Sequence, residues 1–389
     1  MRIGIDIRCL AEGKRTGVEE YTLALLQALF EYDQENEYIL FFNAWRKVTP
    51  DFSWLEPYPR VTLKVFRFPN KLLNLSLWYL GFPKLDLLLG GTDVFFMPNL
   101  NFSATSQKTQ LVVTTHDLSF ELFPETFSMK QRFWHFLVNF RQLIRRADRV
   151  IAVSQSTKDD LVEEYRVPET KITVVPSGID QRFRKMDRND PELMHIKDKY
   201  HLPYRFILYL GTFEPRKNIV ALIDSYNALV ASGNSLFEKY DLVLAGTRGW
   251  KCDDVFAARE ASPYKEKILL PGFIADEDKV ALYNLASVFV YPSLYEGFGF
   301  PPLEAMACEI PVITSHSSAL PEVVGAAGVM IDPYQPDELY RALEAVLTDH
   351  ELAQTLSEQS AAQSRQFSWE KTATATLALF RAPGIAKGK

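Results

Sequence analysis

Two glutamates, Glu296 and Glu304, bracket the core of the stretch "LYEGFGFPPLEAMA" (294–307), and the seven residues between them are all apolar, glycine or proline. An ionised carboxylate only accepts hydrogen bonds, which suits the vicinal hydroxyls of a ribose or a hexose. Upstream, "SVFVYPS" reads as a buried strand. Downstream, "LEAMA" begins a helix with Pro301 and Pro302 at its start, where proline is tolerated. "EGFGF" is then a strand-to-helix turn. Gly297 and Gly299 let the backbone approach a ligand, and free N–H groups at the helix start suit an anion such as a phosphate. This places Glu296 at the strand end and Glu304 in the first helical turn, both able to border one ligand. The plainer alternative is a solvated Glu296 and a Glu304 that complements the helix dipole.

An anion at such a turn calls for a cation. "YLGTFEPRKN" follows an earlier strand, with Gly211 and Thr212 opening the turn and Arg216 and Lys217 just before the helix "NIVALIDSYNALV". A guanidinium fork beside a mobile ammonium is a good pair for a diphosphate, although an exposed basic pair is common. In the first half of the chain, "VVTTHDLSF" ends a strand with His116 beside Asp117. His116 could hydrogen-bond a substrate or shuttle a proton, or it could simply cap or pack. Gly17, in "RTGVEEY", opens the first long helix and offers another approach for a phosphate. "VPSGID" sets Ser177 and Gly178 at a turn on the same side.

The elements that must hold these residues alternate along the chain. "RIGIDI", "YILFF", "VTLKVFRF", "DVFFM", "LVVTT", "RVIAVS" and "KITVV" read as strands. Between the first two, Val18, Tyr21, Leu25, Leu26 and Leu29 line one helical face. After "RVIAVS", Ser156 and Asp159 have capping-box spacing. The pattern restarts with "RFILYLG", "DLVLAG", "KILLPGF", "SVFVYPS" and "PVITS", each followed by a helical stretch. Alternating strands and helices predict parallel sheets covered by helices. The charged stretch 180–204 reads as the connection between two Rossmann-like domains, 1–190 and 191–366. The terminal segment 367–389 has no strand after it and is free to pack back on the first domain. Two such domains imply a cleft where ligands meet the carboxyl ends of the strands.

Composition narrows the classes. With 389 residues, 47% hydrophobic, the chain has material for two cores. A net charge of −6 argues against a nucleic-acid partner. The cysteines, Cys9, Cys252 and Cys308, show no CxxC spacing, so neither a disulfide framework nor a zinc site is expected, and a cytoplasmic location is. The apolar run 72–83 is too short to span a bilayer. Neither GxGxxG nor GxxxxGK[ST] occurs, which weakens hydride-transfer and ATPase readings.

Taken together and in order, these stretches resemble the retaining glycosyltransferases of family 4, which have the GT-B fold: two Rossmann-like α/β domains facing a central cleft. "EGFGFPPLEAMAC" is similar to that family's E-x7-E signature. "TGVEEYTLALLQAL", "THDL", "IAVSQSTKDDL", "VVPSGID", "GTFEPRKN", "LPGF" and "ALPEVVGAAGVMIDP" follow in the family's order. The resemblance implies that Glu304 holds the nucleotide ribose and Glu296 contacts the donor sugar. Arg216 and Lys217 would neutralise the diphosphate, with the turn of Gly297, Phe298, Gly299 and Phe300 and the Gly17 loop closing on it. Phe273 and Ile274 would face the base. His116 would touch the donor sugar, with Asp117 and Ser177 also facing substrate. The implied reaction moves a sugar from a nucleotide donor to a hydroxyl with retention. "DED" at 276–278 reads as a helix N-terminal turn, so no metal and no cofactor is expected.

Some positions depart from the family. Thr212 stands where many relatives have arginine, Ser177 replaces a common asparagine, Glu309 a common glycine, and "TGVEEY" lacks a second loop glycine. Mannosyltransferase-like features favour GDP-mannose as donor, then a UDP-hexose. The acceptor implied is a glycan or lipid-linked glycan of cell-surface polysaccharide assembly. The stretch 127–146 mixes aromatic and basic residues and could rest on the inner face of an anionic membrane, or be an ordinary packed helix. A GT-B-like epimerase, a phosphorylase and a catalytically silent binding subunit are the rival classes, and oligomeric state is not legible.

Overall fold

In a computed structural model, residues 1–11, 17–45 and 51–382 are described. The chain forms two compact units. The first is Met1–Leu118, Lys130–Gly178 and Ser368–Lys389; the second is Ser119–Met129 and Ile179–Phe367.

In the first unit, each of the seven predicted β runs forms a strand: β1 (Arg2–Asp6), β2 (Glu37–Asn43), β3 (Val61–Phe66), β4 (Val94–Met97), β5 (Gln110–Thr115), β6 (Arg149–Ala152) and β7 (Ile172–Val174). They pair in parallel in the order β3-β2-β1-β4-β5-β6-β7. Most of their Ile, Val, Leu and Phe side chains are buried because helices cover both faces of such a sheet, but on the edge strand β3 none is fully buried and Val65 is exposed. The helix Gly17–Tyr32 buries Tyr21, Leu25, Leu26 and Leu29. The capping position after β6 differs from the expected one. Ser154, not Ser156, caps the helix Gln155–Tyr165, its hydroxyl accepting from the Thr157 amide at 3.0 Å. The stretch 127–146 forms two helices, Met129–Val138 and Phe140–Arg146, broken at Asn139 with φ 48°.

The second unit holds β8 (Phe206–Leu210), β9 (Asp241–Ala245), β10 (Ile268–Gly272), β11 (Val288–Tyr291), β12 (Val312–Ser315) and β13 (Gly328–Ile331), all parallel, in the order β10-β9-β8-β11-β12-β13. The order reverses between β8 and β11, the position at which ligands bind in open α/β sheets. The strand β13 has no counterpart among the expected runs. It is four residues long, starts on glycine and lies at the sheet edge, so its periodic signal is faint.

The chain changes unit at Gly178–Ile179, ahead of the expected break at 190–191. The charged stretch looks like a linker because it is polar, yet its charges are tied to the second unit. Arg182 pairs with Asp276 at 2.5 Å, Lys185 with Glu309 at 2.7 Å and Lys199 with Asp278 at 2.6 Å. A second exchange, Ser119–Met129, had no sequence signal. In the second unit the Trp250 indole N–H donates to the Thr126 carbonyl at 2.7 Å, and Phe123 packs on Tyr295 with centroids 5.4 Å apart.

The last helix, Trp369–Arg381, belongs to the first unit, which resumes at Ser368, one residue past the expected 367. The Thr372 hydroxyl donates to the Pro176 carbonyl at 2.8 Å, and Phe380 packs on Phe96. Gly178 makes this docking possible: a Cβ there would lie 2.1 Å from the Trp369 amide nitrogen. Because the obstacle is backbone, Gly178→Ala is expected to destabilise the fold by about 1–3 kcal/mol. The change would be read as a lower urea midpoint, with earlier proteolytic release of the terminal helix. An unchanged midpoint would mean the helix does not dock here.

Candidate active site

The two loops singled out in the sequence leave neighbouring strands. After β8, "GTFEPRKN" closes into a tight turn, Pro215–Lys217, and Asn218, with φ 55°, starts the helix Ile219–Ala231. After β11, residues 292–299 lead into the helix Phe300–Ala307. Because β8 and β11 pair directly, Arg216 and Lys217 meet Glu296. The Lys217 ammonium donates to Glu296 Oε1 at 2.5 Å and to the Tyr291 hydroxyl at 2.7 Å. Arg216 Nη1 reaches Glu296 Oε2 at 3.0 Å and the Tyr295 carbonyl at 2.5 Å, and its Nη2 reaches Glu214 Oε1 at 2.8 Å. The Leu294 amide donates to the Arg216 carbonyl at 2.8 Å, tying the two loops through the backbone as well.

This is a nearly dry cluster: Glu214 is 4%, Glu296 7% and Lys217 8% exposed. Burial alone would raise the Glu296 pKa. The charges of Arg216 and Lys217 outweigh it and hold the carboxyl at about 2, against an ordinary 4.5. Two anions and two cations balance, as a buried ionic group requires. The two cations are therefore engaged with Glu296 and Glu214 as the site stands.

The remaining predicted residues are placed as follows. Glu304 lies in the second turn of its helix rather than the first, so it does not serve as a dipole complement. It is buried, and the Tyr283 hydroxyl donates to its Oε2 at 2.7 Å. Gly299 has φ 124°, and a Cβ there would stand 2.9 Å from Leu320, so this turn requires glycine. Gly297 lies in the same loop. The Phe298 ring is buried between Phe300 and Phe367, which leaves its backbone rather than its ring for a ligand. Past β10, Phe273 is 66% exposed whereas Ile274 is in the core. Asp276 lies between Arg182 (2.5 Å) and Lys279 (2.9 Å), and Asp278 faces Lys199 and Tyr200, so both aspartates of "DED" answer protein cations.

In the first unit His116 follows β5, and its Nε2 lies 2.8 Å from the Pro98 carbonyl. A carbonyl only accepts, so Nε2 carries the hydrogen and Nδ1 is an acceptor. Burial lowers the His116 pKa, and the neighbouring Pro98 carbonyl and Asp117 only partly offset it. The ring is thus neutral at pH 7, which favours binding over proton shuttling. Asp117 is half-buried beside it. Gly17 is exposed at the start of its helix; the rest of its loop, 12–16, lies outside the described residues. Ser177 is set deeper than the other predicted residues of this unit. It is 1% exposed, between Pro176 and Gly178, which the terminal helix covers.

Sequence reasoning missed Glu214, Tyr291 and Tyr283. Glu214 was within reach, as an acid two residues before the basic pair. Tyr283 comes from a different helix, Lys279–Leu285, and nothing in its local pattern marks it.

Comparison with known proteins agrees with this architecture. The family model "Glycosyltransferase Family 4" matches residues 15–183, and "Glycosyl transferases group 1" matches 195–363. The chain belongs to glycosyltransferase family 4, and its two parallel-sheet α/β units have the GT-B fold. It is 36% identical over 264 residues to the serotype-specific mannosyltransferase WbdA of Escherichia coli, which covers 67% of this chain but 32% of WbdA. The chain thus spans about a third of the length of that relative. It is also 33% identical over 282 residues to the O-antigen chain mannosyltransferase B of Escherichia coli, covering 72% of each. Among solved structures, sucrose-phosphate synthase from Thermosynechococcus elongatus superposes with a TM-score of 0.75 at 20% identity over 98% of both chains.

Glu296→Gln leaves Arg216 and Lys217 facing a neutral amide. Breaking a buried pair from one side typically costs about 3–5 kcal/mol. A carboxyl whose folded pKa is depressed contributes stability that is present above its unfolded pKa and lost as pH falls towards the folded one, here from 4.5 towards about 2. Urea unfolding should therefore show the variant less stable at pH 7, with a shallower decline below pH 5 than the parent chain. Equal slopes would mean Glu296 is not held as described.

Proposed function

We propose that the chain is a retaining hexosyltransferase that moves mannose from GDP-mannose to a hydroxyl of a glycan or lipid-linked glycan. The observation that carries this reading is the buried Glu296–Arg216–Lys217 cluster at the switch point, next to a glycine-opened helix start. Both curated relatives are described as mannosyltransferases, one of them of the O-antigen chain, which supports the choice of sugar and of acceptor class.

The chemistry follows from charge. As the bond from the anomeric carbon to the phosphate oxygen breaks, positive charge grows on the sugar and negative charge on the departing diphosphate. Lys217 and Arg216, released in part from Glu296, neutralise the diphosphate together with N–H groups of the turn at Gly299. Glu296, held ionised, faces the sugar. Glu304, oriented by Tyr283, accepts from the ribose hydroxyls, and the exposed ring of Phe273 offers a face to the base. The acceptor oxygen bonds the anomeric carbon on the face the phosphate leaves, and its proton passes to the leaving phosphate oxygen. In the first unit, neutral His116 accepts from a sugar hydroxyl through Nδ1. Protein cations take the part a divalent metal has in other transferases, so activity is expected to persist in excess chelator.

No helix among the described residues is long and apolar enough to cross a membrane. The helix Met129–Val138 exposes Met129, Phe133 and Phe136 beside Lys130 and Arg132, which supports a cytoplasmic enzyme resting on a membrane that carries its acceptor.

The test is a panel of GDP-, UDP- and ADP-sugars, read by thermal shift and by release of nucleoside diphosphate. GDP-mannose should raise Tm and turn over. Glu296→Gln and Lys217→Ala should each lower turnover by about 10²–10³-fold, the worth of one strong electrostatic donor. Response to a UDP-hexose alone would transfer the assignment to that donor. Silence towards all three classes would refute a nucleotide-sugar site.

A further inference from the structure

Among the described residues, nineteen large apolar side chains are exposed, and eight of them fall between Val65 and Leu87. That is a cluster, whereas singly scattered exposed apolar residues are normal. Its centre is the helix Asn70–Tyr79, which follows the edge strand β3. Leu73 and Leu77, four apart, are buried on the first unit. Leu72, Leu75 and Tyr79 lie on another face at spacings of three and four, each more than half exposed. The following turn adds Leu80 and Phe82. The Phe82 amide donates to the Ser76 carbonyl at 3.4 Å and its carbonyl accepts from the Ser76 hydroxyl at 2.5 Å, so the turn is pinned against the helix rather than loose.

The electrostatics of this segment oppose those of the chain. From Pro57 to Leu85 there is no aspartate or glutamate, whereas Arg60, Lys64, Arg67, Lys71 and Lys84 give a local charge of +5 in a chain of −6. Arg60, Arg67 and Lys71 are exposed. An apolar ridge flanked by cations, with no acid to repel phosphate headgroups, fits the boundary of an anionic bilayer.

We propose that the ridge Leu72–Leu75–Tyr79–Leu80–Phe82 is a docking surface that inserts into the headgroup region of an anionic lipid leaflet, with the flanking lysines and arginines on the phosphates. Since β3 and β5 run parallel, the helix begins at the sheet edge that also carries His116. Docking through it keeps that edge close to the lipid surface. The ridge shares no residue with the helix Met129–Val138 or with the charged cluster of the second unit, so it stands or falls independently of the proposed reaction.

The test is co-sedimentation of the full chain with vesicles of phosphatidylcholine containing about 30% phosphatidylglycerol, against pure phosphatidylcholine. Binding should need the anionic lipid and weaken strongly at about 0.5 M salt. The triple variant Leu75→Ser, Tyr79→Ser, Leu80→Ser should lose about ten-fold or more in partitioning with an unchanged melting curve. The comparison variant Phe133→Ser, Phe136→Ser should keep at least part of the binding. Equal partitioning of the triple variant and the parent overturns the proposal, as does loss of all binding in the comparison variant alone. A concentration-dependent dimer that the triple variant abolishes overturns it too, because the ridge would then be covered by a second copy.

Discussion

A carboxylate that is almost dry must be paired, and the site depends on how Glu296 meets that requirement. Its two oxygens each face a different cation, Lys217 on one side and Arg216 on the other, and Glu214 completes the balance on Arg216. No member can be changed alone without stranding charge in a low-dielectric setting. The cluster therefore locks the loop after β8 to the loop after β11. Only strands that are direct neighbours at the reversal of strand order could bring those loops so close. Sheet topology and site electrostatics are thus one constraint seen at two scales.

Neutrality in the resting state has a chemical consequence. The cluster has no surplus positive charge, so it does not attract anions at large. In the proposed reaction an incoming diphosphate would have to compete with Glu296 for the Lys217 ammonium, and the exchange would be favourable only if Glu296 gained another partner. A sugar hydroxyl or a developing oxocarbenium supplies one. A ligand that carries both a diphosphate and a sugar satisfies both halves of the exchange, whereas inorganic phosphate satisfies one. Preorganisation of this kind is the usual source of the largest electrostatic share of catalysis. The Tyr291 hydroxyl accepts from Lys217 at 2.7 Å, and in the proposed reaction it would keep the ammonium in place while the carboxylate changes partner.

How much of this was legible follows from which interactions are local. The strand runs, the helix start at Pro301 and Pro302 and the need for glycine at 299 are set by neighbours in sequence, and they could be read directly. The pairing of Glu296 with Arg216 and Lys217 is separated by some eighty residues, yet strand-end positions made a common site readable. Glu304 was placed a turn too early because two prolines obscure where the helical register begins. The burial of Ser177 was not legible because it depends on a helix almost two hundred residues away. The same distance hid the role of Gly178. The break at 190 was drawn from polarity, and polarity cannot distinguish solvated charges from paired ones such as Arg182 with Asp276.

The net charge shows the opposite failure. A value of −6 is a sound argument against a nucleic-acid partner, but it averages over segments that behave differently. The stretch from Pro57 to Leu85 carries cations only, and so does 127–147, while the acids are concentrated elsewhere. Screening in salt confines a charge's influence to about 8–10 Å. A surface therefore responds to the charges on its own elements and not to the total. For the first unit, the local sign and the exposed ridge agree with each other and disagree with the composition. Within a Debye length, local charge decides what this face can approach.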